Sequence, residues 1–285
     1  MNPDDIVQIG PLAIALDRLV AVVLILVFLM GGDLLARRFA SGHQKARAGH
    51  AVAIALVAGL AGARAAYIWI HADSFALDPA AAIYVWMGGW SWIAGVLAAG
   101  AALIIMLRKT RPLAPVLGLL AALAAAWAIF AGGQAARPIQ LPADLAMTMA
   151  HGPATTAGEL RGKPLVLNLW ASWCLPCRRE MPMLVDAAAD ENRARILLVN
   201  QGEGPEKVRD FLRAQDLSGR DVALDPQGVL GTLAASQALP TTLFVAADGE
   251  LRQIHIGEIS RVQLDIGIRA AAEARQSGSG ASQFR

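Results

Sequence analysis

The chain is 285 residues long, 55% hydrophobic and 17% charged, with a mean hydropathy of +0.46 and a net charge of +2. So apolar a composition excludes an ordinary water-soluble globule, and so small a charge, with no basic patch interleaved with aromatics, leaves no nucleic-acid partner expected. Two cysteines are too few for a disulfide-stapled scaffold.

The apolar excess lies before about residue 132, and the remainder has the charge density of a soluble domain. Met1-Asn2-Pro3-Asp4-Asp5 is acidic and lacks the positive flank of a cleaved leader, so the first span is expected to be retained. Apolar stretches of crossing length predict four membrane helices, at about 12–35, 51–70, 89–107 and 115–131. The first carries Asp17, Arg18 and Asp33.

Loop charge orients them. Arg37, Arg38, Lys45 and Arg47 lie in the first connection and Arg108, Lys109 and Arg111 in the third, whereas the second, from His71 to Met87, has no Lys or Arg. Connections one and three are therefore cytoplasmic. Four spans then place both termini on the far side, which in a bacterium is the periplasm. The lipid bilayer of the inner membrane is thus the first expected partner.

With that topology Asp17, Arg18 and Arg64 share one depth, roughly 9 Å below the outer boundary. Trp86, Trp90 and Trp92, with Tyr67, Trp69 and Tyr84, gather near the same level. Two readings stand: an aromatic belt with an Asp17–Arg64 pair that holds the bundle, or a pocket open to the outer leaflet.

Residues 133–142, with Gly133, Pro138 and Pro142, read as a tether between the membrane part, 1–132, and an α/β domain over 143–275. In that domain Pro164–Leu169 and Ala194–Asn200 are apolar runs expected as buried strands. Helices are expected at about 174–189, 205–215, 229–236 and 260–274. Thr241–Ala246 and Leu251–Gly257 form a hairpin across Asp248-Gly249. Residues 276–285 are expected as disordered tail.

The first of these strands leads into Trp170-Ala171-Ser172-Trp173-Cys174-Leu175-Pro176-Cys177-Arg178-Arg179-Glu180-Met181-Pro182, which holds both cysteines. At a helix N-terminus, free N–H groups and the positive dipole end favour a thiolate on Cys174, which attacks a disulfide. Cys177, one turn on, resolves the mixed disulfide. The alternatives are a static disulfide or half of a zinc site, and zinc would need two further ligands. Arg178 and Arg179 could support the thiolate or point into solvent. Met147, Met149, Met181 and Met183 add a third class of function, a Cu(I)-binding assembly chaperone, because thioether and thiolate ligands suit that ion. His151 and His255 are isolated.

This segment resembles the active site of the TlpA-like membrane-anchored thioredoxins, a group that includes cytochrome c maturation reductases. Gly162-Lys163-Pro164, Leu239-Pro240-Thr241-Thr242 and Asp248-Gly249 sit where that family has them, and the similarity covers about 140–273. The resemblance implies that the α/β domain is thioredoxin-like, with Leu217–Asp225 as the family's insertion, so that with the four spans read from hydropathy the expected fold is an N-terminal all-α four-helix transmembrane bundle followed by an α/β thioredoxin-like domain. It implies a cis Pro240 against the thiols, with the backbone of Leu239 exposed to pair with substrate and Thr241 beside it. Asn168 stands where plain thioredoxin has a buried Asp. Glu180 matches the family's acidic residue and tunes the thiols, unless it is a solvent-exposed helix glutamate. Trp173 shapes the docking surface, or else packs into the core.

The membrane part has a second resemblance. Gly62-Ala63-Arg64-Ala65-Ala66-Tyr67, Asp78-Pro79 and Trp86–Gly95 are similar to the early portion of prolipoprotein diacylglyceryl transferase, as is Ile9-Gly10-Pro11-Leu12. That family continues its Gly-Gly-x-Ser segment into a functional His, where this chain has Ile93-Ala94-Gly95. A lipid function of this half is the second class expected.

The reading that results is a periplasm-facing thiol-disulfide oxidoreductase that reduces exported proteins bearing disulfides or thiols. It needs no bound cofactor. The membrane part has no cysteine, so a DsbD-type membrane electron donor, or an oxidant, must reset the pair.

Overall fold

A computed structural model describes residues 6–9, 12–40, 44–85, 88–108, 110–133, 139–190, 192–234, 236 and 238–279. Two compact units result, one of Asp5–Phe75 and Gly88–Ala135, the other of Met1–Asp4, Ala76–Met87 and Ala136–Arg285.

The first unit opens with a hairpin of β1 (Ile6–Ile9) and β2 (Leu12–Ala15), paired antiparallel. Helix α1 follows as Leu16–Phe39, four residues later than expected, because Leu12–Ala15 are taken by the hairpin. Asp17 therefore stands in the first helical turn, where a carboxylate meets unpaired N–H groups, rather than well inside the span. Near the other end Asp33 pairs with Arg37 at 2.7 Å, which neutralises the helix's second carboxylate. Helix α2 is Gln44–Ile70, α3 Ala72–Leu77, α4 Trp92–Leu107 and α5 Leu113–Gly133, while the 3₁₀ turn Pro79–Ala82 falls in the Ala76–Met87 stretch of the second unit.

Among the described residues three helical stretches are long and apolar enough to cross a membrane: Leu16–Phe39, Gly49–Ile70 and Leu113–Gly133. The remaining expected span, 89–107, is the 16-residue α4. At 1.5 Å per residue it is about 24 Å long, shorter than a hydrocarbon core of about 30 Å. Helices α2 and α4 meet along a seam of small residues: a Cβ on Gly59 would lie 3.1 Å from the Gly95 carbonyl, and one on Gly62 2.5 Å from Ala98. Such close backbone approach gives the two helices extensive dispersion contact.

The second unit holds a sheet of eight described strands in the order β3-β10-β9-β6-β7-β8-β4-β5. Its elements are β3 (Ile139–Gln140), β4 (Ala146–Met149), β5 (Thr155–Thr156), β6 (Leu165–Trp170), α6 (Leu175–Ala188), β7 (Arg195–Gln201), α7 (Pro205–Ala214), β8 (Val222–Asp225), α8 (Val229–Leu233), β9 (Thr241–Val245), β10 (Glu250–Ile256) and α9 (Arg261–Ser279). β6 runs parallel to β7 and antiparallel to β9, and β7 runs parallel to β8. Within the expected tether, 134–138 lie outside the described residues, while Ile139-Gln140 add a strand to the edge of β10. Residues 276–279, expected as tail, continue α9; 280–285 lie outside the described residues.

Strand β6 shows why the run Leu-Val-Leu-Asn-Leu-Trp is central. All six residues are buried, as a strand covered on both faces requires. Side chains alternate: Leu165, Leu167 and Leu169 join one core with Leu197, Val199, Leu243 and Val245, while Val166 and Trp170 join another with Ile196, Leu198 and Phe244. Helices α6 and α9 cover the Val166 side, and α9 approaches so closely that a Cβ on Gly267 would lie 2.3 Å from the Phe244 ring. By parity Asn168 falls on this same side, facing the helix that begins at the cysteines.

Candidate active site

β6 and β7 are parallel, so their C-terminal ends, Trp170 and Asn200, share one edge of the sheet. The Cys174–Cys177 pair lies just beyond that edge. Cys174 is the N-cap of α6, and the two sulfurs form a disulfide with Cα atoms 5.3 Å apart. The Cys177 N–H donates to Cys174 Sγ at 3.3 Å, and Pro176 in the first turn costs no hydrogen bond there. Helix geometry thus points free N–H groups at Cys174, the arrangement that stabilises a thiolate. Both cysteines are buried, while Trp173 and Leu175 beside them are 67% and 65% exposed. Core packing of Trp173 is thereby excluded.

Glu180 is not a solvent-facing helix glutamate. It is buried, its Oε1 accepting from Asn168 Nδ2 at 2.8 Å and its Oε2 from the Ile259 N–H at 2.7 Å. Asn168 Nδ2 also donates to Thr242 Oγ1 at 3.1 Å, so the carboxyl is moored to two strands and a loop. Burial pushes its pKa up to about 7, against the opposing pull of the Ile259 and Asn168 hydrogen bonds.

A second buried carboxylate was not anticipated. Glu203, in the Gln201-Gly202-Glu203-Gly204 turn after β7, accepts from the Ser172 N–H at 2.7 Å, Ser172 Oγ at 2.6 Å, Asn200 Nδ2 at 2.8 Å and Lys207 Nζ at 2.7 Å. Burial favours its protonated form, yet the hydrogen bonds from Lys207, Ser172 and Asn200 outweigh burial and hold its pKa at about 2. It anchors the loop that presents Trp173 and Cys174. The signal available in sequence was a polar Asn200 ending an apolar strand, then a Gly-flanked acid at the same sheet edge as the cysteines.

The Leu239–Pro240 peptide is cis, as the resemblance implies, and Leu239 is half-buried. Thr241 is different. It is fully buried, its hydroxyl donating to Ala238 O at 2.7 Å and lying 3.3 Å from Ser236 Oγ, so its side chain knits the loop together and does not face a substrate. Arg178 lies over the Phe211 ring and Arg179 pairs with Glu258, so each arginine has a partner other than the thiols. The four methionines divide between opposite sides of the sheet, Met147 and Met149 on one and Met181 and Met183 on the other. They cannot share one metal.

In the helical unit the structure does not assemble the Asp17–Arg18–Arg64 cluster. Asp17 and Arg18 are exposed. Arg64 Nη1 donates to Gly88 O at 2.7 Å and Gly89 O at 2.9 Å, with its guanidinium near the Phe75 and Trp90 rings. Arg64 thereby ties the segment leading into α4 to α2. Trp86, expected in the aromatic cluster, lies outside the described residues.

Comparison with known proteins bears on the second unit. Residues 133–254 match the model of the AhpC/TSA family. The chain is 31% identical over 121 residues to the thiol:disulfide interchange protein CycY of Rhizobium leguminosarum bv. viciae, covering 42% of this chain and 64% of that protein. It is 30% identical over 124 residues to the thiol-disulfide oxidoreductase ResA of Geobacillus kaustophilus, covering 43% of this chain and 71% of that one. Among solved structures, StoA from Bacillus subtilis aligns at 26% identity with a TM-score of 0.38, over 44% of this chain and 98% of that one.

Proposed function

This chain belongs to the TlpA-like thioredoxin family of thiol-disulfide oxidoreductases, and from that premise we propose that it is a membrane-anchored periplasmic reductase of disulfides in exported proteins. The observation that carries the reading is the Cys174–Cys177 disulfide at the N-terminus of α6, joined through one helix to a buried carboxyl whose pKa is about 7. In the reduced state the Cys174 thiolate attacks a substrate sulfur, a mixed disulfide forms and one substrate thiolate leaves. The Cys177 thiol then loses its proton and attacks Cys174 Sγ, which releases the second substrate thiolate and closes the disulfide. Two electrons pass to the substrate. Glu180, three residues from Cys177 on the same helix, has its pKa raised by burial to about 7 and is so suited to accept that proton.

Three helical stretches of crossing length support anchoring to a membrane. The arginine-rich first and third connections support an N-out orientation with α4 as the third of four spans. Both cysteines of the chain lie in the second unit, which supports resetting of the pair by a separate membrane partner, a donor of the DsbD type in the reducing direction proposed here.

A Cys177→Ser variant of the full chain, expressed in cells and recovered after acid quenching, tests all of this at once. It keeps the nucleophile and removes the resolver, so it should accumulate mixed disulfides with exported proteins, while wild-type Cys174 and Cys177 should be mainly reduced. Trapping of cytosolic proteins alone, or no trapping, would overturn the reading. A mainly oxidised wild-type pair would reverse the direction.

A further inference from the structure

We propose that the surface ion pair between Arg179 and Glu258 is a positioning device for Glu180. It clasps the Gly257–Ile259 turn onto the active-site helix and so keeps the Ile259 N–H on the buried carboxyl. Arg179 Nη2 lies 2.6 Å from Glu258 Oε2, and Arg179 Nε lies 3.2 and 3.3 Å from the two Glu258 oxygens. Both oxygens are engaged by a planar fork, the geometry in which an ion pair restricts motion most.

The placement gives the pair its meaning. Arg179 immediately precedes Glu180, and Glu258 immediately precedes Ile259. The exposed pair and the buried Ile259 N–H to Glu180 Oε2 bond, 2.7 Å long, are therefore adjacent rungs between the same two segments. The same turn is fixed on its other side, where the Gly257 N–H donates to Pro240 O at 2.9 Å and His255 Nε2 lies 3.2 Å from Glu258 O. The clasped turn thus joins the proline loop to the carboxyl beneath the cysteines. Once the outer rung holds the turn, little conformational entropy remains to be lost in forming the inner one.

The groups that face Glu180 are Asn168 on β6 with Thr242 behind it on β9, the Ile259 N–H and the Glu258 carboxylate on the turn, and Arg179 on its own helix. They give the proposal a sign by which it differs from simple charge effects. Glu258 is a like charge that disfavours ionised Glu180, so removing it by charge alone would lower the pKa of Glu180. If Glu258 instead holds the turn, removing it loosens the Ile259 hydrogen bond, which favours ionised Glu180, and the pKa rises.

The inference rests on the thiol-exchange reading only for its consequence, and its test uses no substrate. The full chain in detergent is titrated from pH 5 to 9 by infrared spectroscopy, following the protonated-carboxyl band that Glu180→Gln removes, and amide hydrogen exchange is followed at Ile259. Glu258→Gln should raise the midpoint by about half a pH unit and speed exchange at Ile259 about threefold, the scale set by one solvent-screened ion pair. Arg179→Gln should do the same, and the double variant no more than either single one. A midpoint that falls or stays in Glu258→Gln, unchanged exchange at Ile259, or additive shifts in the double variant would each overturn the proposal. A failure of substrate trapping would leave these readouts unaffected.

Discussion

Glu180 and Glu203 are both buried carboxyls at the end of the sheet that carries Cys174 and Cys177, and both accept a backbone N–H at 2.7 Å. Their protonation nevertheless diverges, to about 7 for Glu180 and about 2 for Glu203. Burial acts in the same direction on both, but it prevails at Glu180 and is outweighed by the donors at Glu203. Glu203 accepts from two groups of Ser172, from Asn200 and from a Lys207 ammonium, whereas the described donors to Glu180 are two neutral N–H groups, and the Glu258 carboxylate lies nearby. One side of the active site is a fixed charge that holds a loop. The other is a group that changes charge near neutrality, three residues from Cys177 on the same helix.

The largest effect should come from Glu203→Ala. It leaves the Ser172 N–H and Asn200 Nδ2 buried without their acceptor and frees the Trp173–Cys174 loop, at a cost of about 3 kcal/mol in unfolding free energy measured by denaturant on the full chain at neutral pH. A loss below about 1 kcal/mol would show that the loop is held by other contacts. The acid limb gives a second check. The folded pKa of Glu203 lies below its ordinary 4.5, so its contribution is complete above that value and is lost as pH falls toward 2; this limb should be absent in the variant.

Glu180→Gln should act on the opposite limb. The folded pKa lies above the ordinary 4.5, so the protonated form favours the fold; that contribution is complete below about pH 4.5 and is lost as pH rises through about 7. At 1.36 kcal/mol per pH unit the wild type should lose about 3 kcal/mol of stability over this window. Glu180→Gln should flatten that slope, as read from unfolding free energies at pH 5 and 8. An unchanged slope would mean that Glu180 titrates as an ordinary exposed acid.

The same pair shows what could be read from the chain. Glu180 was legible because its meaning is local: three residues after Cys177 on a helix is a neighbouring position, whatever the rest of the fold does. Asn168 was legible as the odd polar residue in an apolar run. Glu203 lies 26 residues beyond Cys177, and only the parallel pairing of β6 with β7 brings its turn to Ser172. Thr241 was misjudged for the converse reason, since its neighbour Pro240 marks the site while its own side chain turns inward. In the helical unit hydropathy found the spans but not the start of α1, because Leu12–Ala15 are as apolar as the helix that follows and only pairing with Ile6–Ile9 removes them from it. That shift of four residues also undoes the common depth inferred for Asp17 and Arg64.

Lys207→Ala should give the smallest effect and discriminate most finely between the two carboxyls. Lys207 is the largest single contributor to the low pKa of Glu203, yet its side chain is 63% exposed, so water and salt screen the interaction. If the ammonium sets the anchor's charge, its removal raises the acid limb well above pH 2 and weakens loop anchoring at neutral pH. If the two Ser172 contacts and Asn200 suffice, the limb moves little and stability falls by about half a kcal/mol, the usual worth of an exposed ion pair. The second outcome is expected, because buried Asn200 and half-buried Ser172 are less screened than the exposed ammonium. It would be checked by acid unfolding at two salt concentrations, with a salt-independent midpoint in both wild type and variant as the result that assigns the fixed charge of Glu203 to Ser172 and Asn200.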